Sequence, residues 1–247
     1  MIRFFRQIRF NLLNREQSFK YIIYALGEIL LVVIGILIAL QVNNWNQHRQ
    51  DKIRSIDYHQ RMINDLDQTV SFLKGVTRFS DEIKDSIDLA VEVLERGVMT
   101  ASSKETLDFA LGNFFRLSRN LPELSTYKEM ENSGQLSLIY STDLRKEIAD
   151  YVVNWELVST VAEDLNEKVN QTEFIDPYVK FGRESDFQEA YLEYDFNALS
   201  RDRKVINTLS RYSFHWKSKI RFMNILSKRA EELKAMIEQE LINLKND

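Results

Sequence analysis

The chain has 247 residues, with 33 Lys+Arg against 37 Asp+Glu, 44% hydrophobic residues, only 7 Gly and 2 Pro, and no Cys. Without cysteine there is no disulfide framework, Cys-ligated zinc, iron–sulfur cluster, thiol nucleophile or lipoprotein anchor. So little Gly and Pro excludes a collagen-like or low-complexity chain and a turn-rich β-sandwich, and the apolar content excludes a disordered one.

The charge is uneven along the chain. Arg3, Arg6, Arg9, Arg15 and Lys20 face only Glu16 within residues 1–20, whereas residues 43–247 are net acidic. The basic residues lie among Ile2, Phe4, Phe5, Ile8, Leu12 and Leu13, the composition of a basic amphipathic segment lying on an anionic leaflet. The acidic remainder argues against a general nucleic-acid binder, so no nucleic-acid partner is expected.

Ile22 to Leu40 reads IIYALGEILLVVIGILIAL, an apolar run interrupted by a single charge, Glu28. A hydrocarbon core takes about 20 helical residues, so the run predicts a transmembrane helix over 21–42. Tyr21 and Tyr24 at one end, and Gln41 and Trp45 at the other, supply groups suited to the membrane interface. A cleaved signal peptide is the competing reading. The run is longer than a signal-peptide core, and Ala39-Leu40-Gln41 is a poor small-x-small cleavage site, so an uncleaved signal anchor is expected. The bases before the span slightly outnumber those after it, which puts the N-terminus in the cytoplasm and residues 43–247 outside a bacterial inner membrane, in the periplasm.

The rest reads as helical. Ile56, Ile63 and Val70, each followed three residues later by His59, Leu66 and Leu73, give a coiled-coil-like 3,4 spacing. The membrane helix is expected to continue to about residue 74. A second helix fits Asp81 to Arg96, ended by Gly97. A third starts at Ser102, whose spacing to Glu105 matches a capping box. A break follows at Asn120-Leu121-Pro122, then a short helix over Ser125 to Asn132 ended by Ser133-Gly134.

Ser141 caps a long helix with Leu144, Ile148, Tyr151, Trp155, Val158, Ala162, Leu165 and Val169 in a 4,3 alternation. Residues 176–199, with Pro177, Gly182 and aromatics from Phe187 to Phe196, read as a loop and a short helix. Ser200 is expected to cap a last helix running to residue 245 through Val205, Leu209, Tyr212, Trp216, Met223, Leu226 and onward, roughly 65 Å at 1.5 Å per residue. The predicted architecture is all-α: a basic segment 1–20, a single span 21–42, and a helical bundle 43–247 with long antiparallel helices.

The stretch Tyr24 to Asn46, YALGEILLVVIGILIALQVNNWN, closely resembles the N-terminal signature of an uncharacterised family of single-span bacterial membrane proteins, abundant in the Bacteroidota and defined by a domain of unknown function. Thr126 to Val153 is similar to that family's mid-chain pattern, where a Tyr and a Ser-Gly precede an apolar strip and an LR-x-x-I helix start; Met130 replaces the aliphatic residue expected there. The resemblance implies a membrane-anchored helical protein and brings no activity, substrate or catalytic residue.

A carboxylate in an apolar span is costly, which makes Glu28 the candidate functional residue of the span. At about 100° per residue, Gly35 and Ala39 each lie about 20° from Glu28, on opposite sides, and form a small-xxx-small pair that lets helices approach. Helix–helix packing set by Glu28 is the preferred reading, beside a shallow hydrated position and an ion path. Gln41, Asn43 and Asn44 read as interface-level polar residues. His48 and His59 are about 16 Å apart along one helix and cannot share a metal within one chain. His215, beside Trp216, reads as an ordinary helix residue, and Glu129 and Glu131 face different ways. No phosphate loop, nucleophile elbow or zinc-protease motif occurs, so no catalytic residue, metal or cofactor is expected. The expected function is a non-enzymatic, membrane-anchored interaction or scaffold protein. Its partners are the lipid bilayer and either a second copy or an envelope protein. The alternative is an accessory or sensory subunit of an envelope complex, ion-driven through Glu28.

Overall fold

The computed structural model describes residues 15–116, 121–182 and 191–246, with side chains from Tyr21 onward apart from Tyr191. The sequence features of residues 1–14, Asn120 and the Phe187–Glu189 stretch lie outside the described residues. In chain order the elements are α1 (Arg15–Arg96), α2 (Ala101–Asn113), α3 (Ser125–Asn132), a single 3-10 turn (Leu136–Leu138), α4 (Thr142–Val169), β1 (Val179–Gly182), β2 (Tyr191–Tyr194), α5 (Phe196–Arg201) and α6 (Arg203–Asn246). The fold is helical, with one two-stranded antiparallel sheet among the described residues. By its contacts the chain divides into two compact units, Met1–Arg54 and Ser55–Asp247.

In the first unit α1 carries its most apolar stretch, with mean hydropathy 2.7 over 18 residues, long and apolar enough to cross a membrane by length and composition. From Tyr21 to Val42 every side chain is exposed except that of Ala25, which is half-buried.

In the second unit α1 lays down a stripe at a strict 4,3 alternation: Ser55, His59, Met62, Leu66, Thr69, Leu73, Val76, Ser80, Ile83, Ile87, Ala90 and Leu94. All are buried but Val76, which is half-buried. This seam keeps His59, Leu66 and Leu73 of the expected register but replaces Ile56, Ile63 and Val70, which are half-buried, with Ser55, Met62 and Thr69. Two of the small hydroxyl side chains at seam positions have their O–H groups satisfied by carbonyls: Ser55 donates to that of Leu138 (2.7 Å) and Thr69 to that of Asp65 (2.9 Å). No break occurs near residue 75. Gly75 lacks only a side chain, not helical dihedrals, and the seam continues through it, so the two expected helices are one.

α1 and α6 run antiparallel, as ion pairs at Asp67–Lys234 (2.6 Å) and Lys74–Glu231 (2.8 Å), and the Ser213–Asp88 hydrogen bond, show. α6 also runs against α4, with Lys219 reaching Asn166 and Tyr212 reaching the Gln171 carbonyl (2.8 Å). Two cores result. The first joins Met62, Leu66 and Leu73 of α1 to Met130 of α3, Ile148 of α4 and Leu226 and Leu233 of α6. The second joins Ile83 and Ile87 to Leu107, Leu111 and Phe114 at α2, Ile175, Leu199 of α5, and Leu209 and Trp216 of α6.

Local signals place several boundaries as the sequence predicts. α3 spans Ser125–Asn132 and ends at Gly134, whose φ of +69° suits glycine. The Ser141 side chain accepts from the Leu144 N–H and begins α4. Two expected caps move. α2 begins with a capping box between Thr100 and Ser103, not at Ser102. Ser200 lies inside α5, and the Asp202 carboxylate instead accepts from the Lys204 N–H (2.7 Å) at the start of α6, where an anion also meets the positive end of the helix dipole. The segment read as a loop contains β1 and β2, paired with Val179 opposite Tyr194 and Phe181 opposite Leu192.

Candidate functional site: a buried lysine in an apolar cleft

The residues that the sequence singles out do not converge. Glu28, Gly35 and Ala39 lie on the exposed apolar stretch of α1, and a Cβ added to Gly35 would meet nothing within 4 Å. Tyr21, Tyr24, Gln41, Trp45 and His48 are exposed on the same helix. Glu129 is engaged by Arg61, which bonds both carboxylate oxygens, and by the Tyr58 hydroxyl (3.3 Å); the Arg61 bonds hold its carboxyl below the usual range. Trp155 donates from Nε1 to the Pro122 carbonyl (2.9 Å), so it fastens the connection before α3 to α4.

His59 is fully buried. Its Nδ1 lies 2.7 Å from the Ser55 carbonyl, an acceptor, so Nδ1 carries the proton, and Nε2 has no partner among the described residues. Burial pushes its pKa below 6.5, against the opposing pull of that hydrogen bond and of Glu240. Burial also lowers the pKa of His215. Among the described residues no three His, Asp or Glu side chains gather as metal ligands would.

The most distinctive chemistry lies where the two cores meet. Along α1 from Asp67 to Ser80, and at Trp216 and Lys219 of α6, packing leaves a cleft of about 790 Å³. Phe72, Val76 and Phe79 form its apolar wall, and Gly75 opens it by contributing no side chain. Lys219 lines the cleft yet is only 2% exposed. Its Nζ sits 4.5 Å from the centroid of the Trp216 ring and 3.4 Å from Asn166 Oδ1. Among the described residues it forms no ion pair, and burial alone brings its pKa from 10.5 to about 8. The Trp216 ring is itself held in place, because Nε1 donates to the Phe114 carbonyl (3.1 Å) at the end of α2.

Arg116, just beyond that end, brings a second cation to the lining. Asp67 is the carboxylate on the lining, and Lys234 already engages it at 2.6 Å. Ser80 also lines the cleft; it is 1% exposed, and its Oγ has no hydrogen-bond partner among the described residues. Sequence reasoning missed this group. The signal was present: Lys219 falls three residues after Trp216 and four before Met223, a seam position in the apolar alternation of α6, where a lysine is out of place.

These observations define a helical protein with one strongly apolar N-proximal helix and a cationic cleft between two cores. The chain belongs to the family of unknown function DUF6090, which matches residues 28–172, more than half of its length. That match contains Glu28, Gly35, Ala39 and the α1 wall of the cleft, and ends before β1, so Trp216 and Lys219 lie beyond it. No curated protein and no solved structure matches the chain.

Proposed function

We propose that the protein is a single-pass membrane protein in which residues 21–42 anchor a helical bundle on the outer side of a bacterial inner membrane, and that it works as a non-enzymatic interaction module through helix packing, as a homo-oligomer. The observation that carries this reading is the exposure of nearly every apolar side chain from Tyr21 to Val42, Ala25 alone being half-buried. Burying one large aliphatic side chain is worth about 1.5–3 kcal/mol, so a run of this length favours lipid over water. Tyr24 and Trp45, both exposed, suit the two headgroup regions. Glu28, Gly35 and Ala39 supply one face on which a second copy can approach closely, because small residues admit a neighbouring backbone and a carboxyl group can hydrogen-bond across the pair.

The natural absence of cysteine makes the test direct. Single cysteines are placed along residues 28–42 in native membranes and oxidised. Disulfide dimers should peak at positions 28, 35 and 39 and fall to a minimum at Leu37, about half a turn away. Uniform or absent cross-linking removes the homo-oligomer. Release of the chain by an alkaline carbonate wash removes the anchor. Protease added to intact spheroplasts should digest residues 43–247; full protection reverses the orientation.

A further inference from the structure

We propose that the cleft between the two cores is a binding site for a small amphipathic anion, one with an apolar body and a single carboxylate or phosphate head received by Lys219, with Arg116 at the rim. The inference rests on the Ser55–Asp247 unit alone and does not require the membrane anchor.

Three independent features point to such a ligand. The volume, about 790 Å³, is that of a small-molecule site, which typically spans about 300–1,000 Å³. Its walls are apolar and aromatic, through Phe72, Val76, Phe79 and Trp216, as a hydrocarbon or ring body requires. Its polar groups are unbalanced in one direction. Lys219 and Arg116 bring two positive charges, while the Asp67 carboxylate is turned to Lys234, so no described carboxylate neutralises the lysine.

A lysine that only fills a seam normally extends its stem and keeps the ammonium in water. The Lys219 side chain does the opposite: it lines the cleft with its head buried against the face of Trp216 and one amide oxygen. Ser80, which also lines the cleft, has a buried hydroxyl with no hydrogen-bond partner among the described residues. An anion placed against Nζ would supply the missing countercharge, and exclusion of water by the apolar walls would strengthen that contact.

The test uses the full chain in lipid nanodiscs, with empty nanodiscs subtracted to remove partition into lipid. Octanoate and octyl phosphate are titrated calorimetrically, with octanol as the neutral control. At least one anion should bind saturably and about tenfold or more tightly than octanol. Two variants preserve the fold in different ways. Lys219→Met removes the charge and keeps the stem. Gly75→Leu fills the cleft from α1, where an added Cβ meets nothing within 4 Å. Each should weaken anion binding about tenfold or more while the circular dichroism and a cooperative melt are kept. Arg116→Gln should weaken it by a smaller factor. Equal affinity for octanol and the anions, no saturable binding of either anion, or binding untouched by both Lys219→Met and Gly75→Leu would overturn the proposal and leave the cleft a packing gap.

Discussion

Lys219 shows how one side chain couples packing to pH. Its pKa falls from 10.5 to about 8 because burial disfavours the ammonium and no carboxylate compensates. At about 1.4 kcal/mol per unit, carrying this charge costs the folded state about 3 kcal/mol below pH 8. Between about pH 8 and 10.5 the unfolded chain keeps the proton that the folded chain has released, so stability rises with pH across that window. Chemical denaturation should therefore show increasing stability from neutral to alkaline pH, and Lys219→Met should abolish that limb. The variant should also be more stable at pH 7 by about 1–3 kcal/mol, the lost contact with Trp216 offsetting part of the gain.

Asp65 is the second residue whose role depends on a distant partner. Leu124, at the start of α3, provides no side-chain cap, and the Asp65 carboxylate of α1 accepts from the Thr126 N–H (2.8 Å) and the Ser125 hydroxyl (3.1 Å) instead. Asp65→Ala should cost about 0.5–2 kcal/mol in equilibrium unfolding, the range for a lost helix cap. The same substitution at Asp57, which makes a long exposed contact with Arg61 (3.8 Å), should cost less.

Whole elements here are set by seams that tolerate polar residues. In α1 the seam includes Ser55, His59, Thr69 and Ser80, and hydroxyl-to-carbonyl bonds satisfy Ser55 and Thr69. His59 is held neutral. Its folded pKa is depressed, so the unfolded chain binds a proton that the folded chain refuses, and stability is lost as pH falls below about 6.5. His59→Leu should shallow the acid limb of the stability profile and raise the melting temperature, since it also removes a buried nitrogen with no partner among the described residues. An unchanged acid limb would assign acid sensitivity to other groups, His215 among them.

Helix continuity at Gly75 belongs to the same scale. Local propensity disfavours glycine in a helix by about 1 kcal/mol, but seam residues on both sides of it, Leu73 and Ser80, are buried by the rest of the unit. Packing outweighs that cost, and two expected helices become one.

For the molecule as a whole, both hydrophobic cores lie within Ser55–Asp247. Removing residues 1–42 should therefore leave a folded, soluble protein with the helical circular dichroism of residues 55–247 and a cooperative melt. Loss of that melt would show that the first unit is required for the fold of the second.

Several features were legible in the sequence because they are local. The apolar run at 22–40 needs only composition and length. The α4 seam needs only spacing: Leu144, Ile148, Tyr151, Val158, Ala162, Leu165 and Val169 are all buried, with Trp155 half-buried. The Ser141 cap and the Gly134 stop are set by neighbours a few residues away. What the tertiary structure alone decided depends on partners distant in the chain. The antiparallel pairing of β1 and β2 was hidden because each strand has four residues, too few to show a period, and pairing with each other is what makes them strands. Asp65 caps α3 from 61 residues upstream of Thr126. The cleft is lined jointly by Gly75 of α1 and by Trp216 and Lys219 of α6, and no spacing along one helix reveals the space left between that helix and its neighbours.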